Sequence, residues 1–120
     1  MREAALTNIL SQLNSTSADI QASAVISIDG LMMAALLPAG LDQDRMGAMS
    51  AALLSLGARV ARELDRGTLE QVLVKGDHGY VLMLQAGEDA VLTVLASTQA
   101  KLGLIFLDAK RAAAAMAQVL

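Results

Sequence analysis

The sequence predicts an α+β fold in which helices cover an antiparallel sheet. Residues 69–97 contain three Val- and Leu-rich runs separated by KGDHG and AGED, a pattern typical of an antiparallel meander. Asp29-Gly30, between two further apolar runs, is among the strongest short signals for a hairpin. Residues 2–14, residues 42–64 and the C-terminal stretch place apolar residues at helical spacing. The predicted order is therefore helix, two strands, helix, three strands, helix.

The first half of the chain supplies a short amphipathic helix and the hairpin. Residues 22–28 alternate between the two faces of a strand, and residues 31–37 form the predicted return strand. Asp29 has no second carboxylate nearby, so we interpret it as a turn residue rather than as a metal ligand or a catalytic acid.

The long helix over residues 42–64 begins with a capping Asp42 and has two apolar arcs. The larger side chains form one stripe, which we predict to face the sheet: Met46, Met49, Leu53, Leu56, Val60 and Leu64.

The second arc of this helix consists almost entirely of small residues: Gly47, Ser50, Ala51, Leu54, Gly57, Ala58 and Ala61. Two glycines within one helix are unusual, because each costs about 1 kcal/mol relative to alanine. We interpret this arc as a close helix–helix contact with a second copy or a partner. The alternative is an Ala-rich surface without a partner.

The meander opens with a strand over residues 69–75, whose polar content is typical of a sheet edge. Leu69, Gln71, Leu73 and Lys75 are its candidate interface residues. His78 in the following turn has no nucleophile or second ligand in local reach, so a solvated turn residue is the simpler interpretation.

Composition excludes several classes of function. With 55% hydrophobic and 18% charged residues, 120 residues are predicted to form one folded domain. A net charge of −3 and two aromatic residues, Tyr80 and Phe106, argue against nucleic-acid binding. One His and no Cys leave little for a metal site or a disulfide.

No motif for nucleotide binding, zinc hydrolysis or an activated serine occurs in the chain. We therefore expect no catalytic residues, no cofactor and no metal. No apolar run is long enough to span a bilayer, so we do not expect membrane insertion. The N-terminus does not resemble a signal peptide, so we expect a cytoplasmic location.

The order of elements, together with several local sequences, resembles the Roadblock/dynein-light-chain family, and within it the small bacterial and archaeal members similar to MglB. The matching stretches are Ser27-Ile28-Asp29-Gly30, the Ala-rich long helix, residues 76–80, and Lys101-Leu102-Gly103 before the last helix. The resemblance extends over nearly the whole chain. None of these stretches is a catalytic motif.

The resemblance implies a profilin-like fold: a five-stranded antiparallel sheet with the long helix on one face and the N- and C-terminal helices on the other. It also implies a homodimer formed through the long helices and the edge strand 69–75. In MglB-like members that dimer is the surface to which a small Ras-like GTPase binds. The MglB-like protein then acts by changing the conformation of the bound GTPase. An arginine inserted from Arg45, Arg59 or Arg62 remains a second way to act on such a GTPase.

The function implied is thus a non-catalytic regulator or adaptor of a small Ras-like GTPase. Two alternatives stay open. One is a scaffold subunit that is insensitive to nucleotide state. The other is a small-molecule sensor, which would need a polar-lined cavity that the predicted strands do little to supply.

Overall fold

The computed structural model describes residues 2–120, and its elements follow the predicted order. The bounds are α1 Arg2–Ser15, β1 Ile20–Ser27, β2 Met32–Leu36, α2 Gln43–Glu63, β3 Val72–Gly76, β4 Gly79–Ala86, β5 Ala90–Ala96 and α3 Leu102–Ala117.

The five strands form one antiparallel sheet in the order β2-β1-β5-β4-β3. The first hairpin turns at Asp29-Gly30 as predicted: Gly30 has φ +90° and donates its N–H to Ser27 O at 2.9 Å. One extra residue in β2, Met33, shifts the register opposite Val25 and Ile26. The sheet therefore has two edges, β2 and β3.

Helices cover both faces of the sheet, which confirms the predicted profilin-like arrangement. On one face α1 and α3 pack against each other and bury Leu6, Leu10, Ile105 and Met116. On the other face α2 lies alone over a smaller cluster of buried residues, namely Ala24, Ile26, Leu54, Met83 and Val91. The two clusters make the molecule a three-layer sandwich.

The third strand is shorter than predicted and begins at Val72 rather than Leu69. Leu69 packs beneath α2, whereas the neighbouring Glu70 reaches across to Lys110 of α3, with its Oε1 3.7 Å from Lys110 Nζ. Val72 also lies on the α2 face, because it pairs with Met83. Strict alternation from Val72 would place Leu69 on the opposite face. The strand therefore begins only after the residues that break this alternation.

Candidate functional site

Helix α2 begins at the predicted cap, and its orientation determines the surface that the molecule offers. Asp42 Oδ1 accepts a hydrogen bond from Arg45 N at 3.0 Å, which satisfies one of the free N–H groups of the first turn. The helix turns its small residues toward the sheet: Gly47, Ser50, Leu54 and Ala61 are its buried positions.

Two glycines let the helix lie close to its neighbours. A Cβ on Gly47 would collide with the carbonyl oxygen of Gly30 in the β1–β2 turn. A Cβ on Gly57 would come within 2.8 Å of Val72 Cγ2 and 3.3 Å of Leu69 Cδ2. Glycine is therefore required at both positions for the helix to contact the sheet and the segment before β3. This requirement explains why two glycines occur inside one helix.

One buried polar pair fixes the helix over the central strand. Thr93 Oγ1 on β5 donates to Ser50 Oγ at 3.0 Å, and both residues are almost fully buried. Among residues 2–120, every buried side-chain nitrogen or oxygen has a hydrogen-bond partner. The pair therefore sets the position of α2 along β5 without leaving an unsatisfied group.

The larger apolar residues of α2 point to solvent. Met49, Leu56, Val60 and Leu64 are 59%, 56%, 46% and 63% exposed, and we call them the α2 stripe. The prediction that the larger side chains face the sheet is wrong for these four residues. It is confirmed for Met46 and Leu53, which are half-buried and pack against the cluster beneath the helix. The sheet fills much of the space beneath α2 with its own Ile26, Met83 and Val91, so the helix face that fits there consists mostly of small residues.

The orientation of α2 also determines which of the predicted interface residues are accessible to another molecule. Gly47, Ser50, Leu54 and Ala61 are covered by the chain's own sheet and adjoining segments, so the interpretation that they form an intermolecular contact requires correction. Ala51, Gly57 and Ala58 are half-buried beside them. Of the segment before β3, Leu69 and Gln71 are half-buried, while Leu73 and Lys75 are exposed on the strand itself.

The β3 edge presents apolar side chains on both faces. Val74, which is 42% exposed, pairs with Val81 and therefore lies on the α2 face. Leu73, which is 39% exposed, pairs with Leu82 and lies on the opposite face. The side of the molecule that carries α2 thus exposes Val74 of the edge strand as well as the α2 stripe.

A cleft of about 830 Å³ opens between α2, the turn end of the β4–β5 hairpin and the segment leading to β3. Its apolar lining includes Ile28, Leu54, Leu69 and Val91. Its polar lining comes from three places: Ser55 and Arg62 of the helix, Asp65 and Thr68 of the following loop, and Gln85 of β4.

The arginines of α2 all lie outside. Arg59 Nε pairs with Glu63 Oε1 at 3.1 Å, and both side chains are well exposed, so this ion pair adds little stability. Arg45 and Arg62 are exposed as well. Across residues 2–120, no three His, Asp, Glu or Cys side chains are grouped as metal ligands would be, and no helix combines the length and the apolar character of a membrane span.

Comparison with known proteins identifies the family. The model of the Roadblock/LC7 domain matches residues 6–96, about three quarters of the chain. This chain belongs to the Roadblock/LC7 family. Two uncharacterised proteins of Methanocaldococcus jannaschii are each 43% identical over 105 residues, which cover 88% of this chain and 90% of the relative.

Solved structures confirm the architecture of this Roadblock/LC7 chain. An MglB with a tetrameric arrangement superposes with a TM-score of 0.89 at 20% identity, covering 98% of this chain and 89% of that one. A Roadblock/LC7 domain from Streptomyces avermitilis gives 0.80 at 26% identity, with 89% and 90% covered. Profilin IB of Acanthamoeba castellanii gives 0.67 at 12%, with 94% and 97% covered, which establishes the profilin-like fold.

The α2 stripe and Val74 are the surface residues of this Roadblock/LC7 domain that sequence reasoning missed. Periodicity found both apolar arcs of the helix, but it does not say which arc faces inward. A usable signal lay in the glycines. Gly47 and Gly57 fall on the same arc, and glycine inside a helix marks the side on which another backbone or side chain comes close.

Proposed function

We propose that this chain is a dimeric regulator or adaptor of a small Ras-like GTPase that acts through a protein surface and supplies no catalytic residue of its own. The observation that carries the proposal is the α2 stripe: four large apolar side chains exposed along one side of the helix. Family membership supports it, because MglB-like members, which the sequence resembles, offer their paired long helices to such a GTPase.

Self-association through the stripe has a plain energetic basis. Burying a Leu, Val or Met side chain completely contributes about 1.5–3 kcal/mol, and these four begin about half exposed. A two-fold axis beside α2 brings two stripes together, and the burial is then gained from both copies. Val74 lies on the same face of the sheet, so the β3 edges would join the same interface.

The outermost arc of α2 is our candidate contact for the GTPase. It exposes two small residues, Ala48 and Ala52, flanked by Arg45 and by the Arg59–Glu63 pair. Small side chains let a partner backbone approach, and the flanking charges supply orientation rather than much affinity. In the proposed dimer two such arcs lie side by side, which doubles the surface. The proposal places the protein in the cytoplasm.

The dimer is tested by light scattering on Leu56→Glu. A carboxylate within the stripe would be desolvated on association, so we expect this variant to be of lower mass than the wild type. Leu104→Glu is the matched control, because Leu104 is 57% exposed on α3, at the other face of the molecule. A wild-type monomer, or equal effects of both variants, would contradict the stripe as the interface.

The GTPase is tested with purified small Ras-like GTPases of the same organism, each loaded with GDP or with a non-hydrolysable GTP analogue. We expect one of them to bind at least about tenfold more tightly in one nucleotide state, a typical coupling between two ligands. Ala52→Arg should abolish this binding without changing the mass of the dimer. Equal affinity for both states would identify a scaffold instead. No binding to any GTPase would refute the proposal.

A further inference from the structure

The second edge of the sheet is open and carries no charged residue. Strand β2 is hydrogen-bonded to β1 on one side, and no strand lies on its other side. Among residues 2–120, no backbone hydrogen bond from a turn or loop reaches residues 32–36. The edge therefore presents a row of backbone N–H and C=O groups to solvent.

The side chains of this edge are uncharged and apolar. From Gly30 to Leu41 the sequence reads GLMMAALLPAGL, without a single charged residue. The β3 edge is different, since it carries Lys75, is preceded by Glu70 and is followed by Asp77. Charge is one device that keeps an edge strand from pairing, and β2 does not have it. The bulge at Met33 and the following Pro38 interrupt this edge without charging it.

Large apolar side chains lie beside the open edge. Leu31, just before β2, is 70% exposed, and Leu41 beyond it is 41% exposed. The residues of β2 are half-buried, except for Ala34, which is 7% exposed. What would cover such an edge is an extended, uncharged backbone flanked by apolar side chains.

We propose that the β2 edge pairs antiparallel with the β2 edge of a second copy, so that the proposed dimers, each with a β2 edge at both ends, join end to end through it. A strand edge is self-complementary under a two-fold axis, because donors face acceptors. Pairing centred on Ala34 places Leu31 opposite Leu37 of the second copy and brings no charged side chains face to face. Since β2 and β3 lie at opposite edges of the sheet, both contacts form at once.

Two variants separate this contact from the proposed dimer. Leu56→Glu removes the stripe contact and leaves β2 untouched, so this variant is expected to remain a dimer, now through β2. Adding Leu31→Glu should weaken that association at least about tenfold, because an exposed leucine is replaced by a carboxylate at the new interface. Leu56→Glu combined with Leu104→Glu is the matched control and should associate like Leu56→Glu alone.

A distance measurement identifies the edge directly. The chain has no cysteine, so Ala35→Cys provides a single site for a nitroxide spin label. In the Leu56→Glu background the two labels are expected within about 20 Å of each other, because paired strands lie only about 4.8 Å apart. A strictly monomeric Leu56→Glu protein would overturn the β2 contact and leave the stripe dimer intact. Longer label distances in an associated protein would overturn it as well.

Discussion

At the residue scale, glycine and serine make the contact between α2 and the sheet. Gly47 lies against the Gly30 carbonyl, and Ser50 Oγ accepts a hydrogen bond from the hydroxyl of Thr93. Both positions are specified by space and hydrogen bonding, while hydrophobicity contributes little there. At these two positions, substitutions that ordinarily stabilise a helix are therefore expected to destabilise the fold.

Gly47→Ala is the clearest case. In a free helix this substitution gains about 1 kcal/mol, but here the new Cβ meets the backbone carbonyl of Gly30, which does not move as a side chain does. We expect a net loss of about 1–3 kcal/mol in the free energy of unfolding, measured by urea denaturation. Gly103→Ala in α3 is the control: nothing lies within 4 Å of its Cβ, so that variant should not lose stability.

Ser50→Ala removes the acceptor of a buried hydroxyl. Thr93 would then keep an unsatisfied donor, which costs about 1–3 kcal/mol of unfolding free energy. Thr93→Val added to Ser50→Ala should recover part of that loss, because neither group is then left alone. The double-mutant cycle in urea measures the coupling. Strictly additive losses would mean that the hydrogen bond contributes nothing of its own.

At the element scale, α2 is a helix with two apolar arcs of different bulk, and four of the six side chains of the bulkier arc are exposed. An amphipathic helix normally buries its larger side chains. The reversal follows from the sheet, whose side chains beneath α2 already occupy the interlayer space. The helix therefore leaves much of its large apolar surface exposed, and its attachment to the sheet depends on close approach.

Asp42→Ala tests how much the cap contributes. Because Asp42 accepts the Arg45 N–H, its loss should cost about 1 kcal/mol of unfolding free energy in thermal or urea melts. Asp44→Ala is the comparison, since this acid in the first turn accepts no capping bond and interacts only with the helix dipole, an effect of about 0.3–1 kcal/mol. Equal losses would show that charge, and not the hydrogen bond, is what Asp42 provides.

At the scale of the whole molecule, stability and association are linked if the α2 stripe is an interface. A protein that self-associates only when folded becomes more stable as its concentration rises. We therefore expect the wild-type melting temperature to increase with protein concentration in calorimetry. The melting temperature of Leu56→Glu should depend on concentration less, and any dependence that remains would come from another contact.

The sequence carries most of this fold, because turns and periodicity are local properties. Asp29-Gly30 places the first hairpin, and the cap at Asp42 places the start of α2, within residues that specify their own backbone. The start of β3 was not predictable in this way. Leu69 leaves the strand because it packs beneath α2, and the neighbouring Glu70 then points toward Lys110 of α3.

The sequence predicts the helix and strands that form the candidate site, but it does not predict which side chains they expose there. Which arc of α2 faces inward depends on Ile26, Met83 and Val91, which come from three different strands. Such a packing constraint is set by tertiary structure, so no window of sequence around α2 contains it. Only Gly47 and Gly57 record it locally, through the side chains that they lack.

The pairing of α1 with α3 on one face also dictates how the protein is best handled at the bench. A fluorophore, affinity handle or surface tether attached through either of these helices emerges from the side of the sheet opposite α2. A sensor chip loaded in this way would present α2 uniformly toward the flowing solution. Lysine chemistry orients the molecule less uniformly: Lys101 and Lys110 lie at or on α3 and no lysine lies on α2, but Lys75 is exposed on the β3 edge.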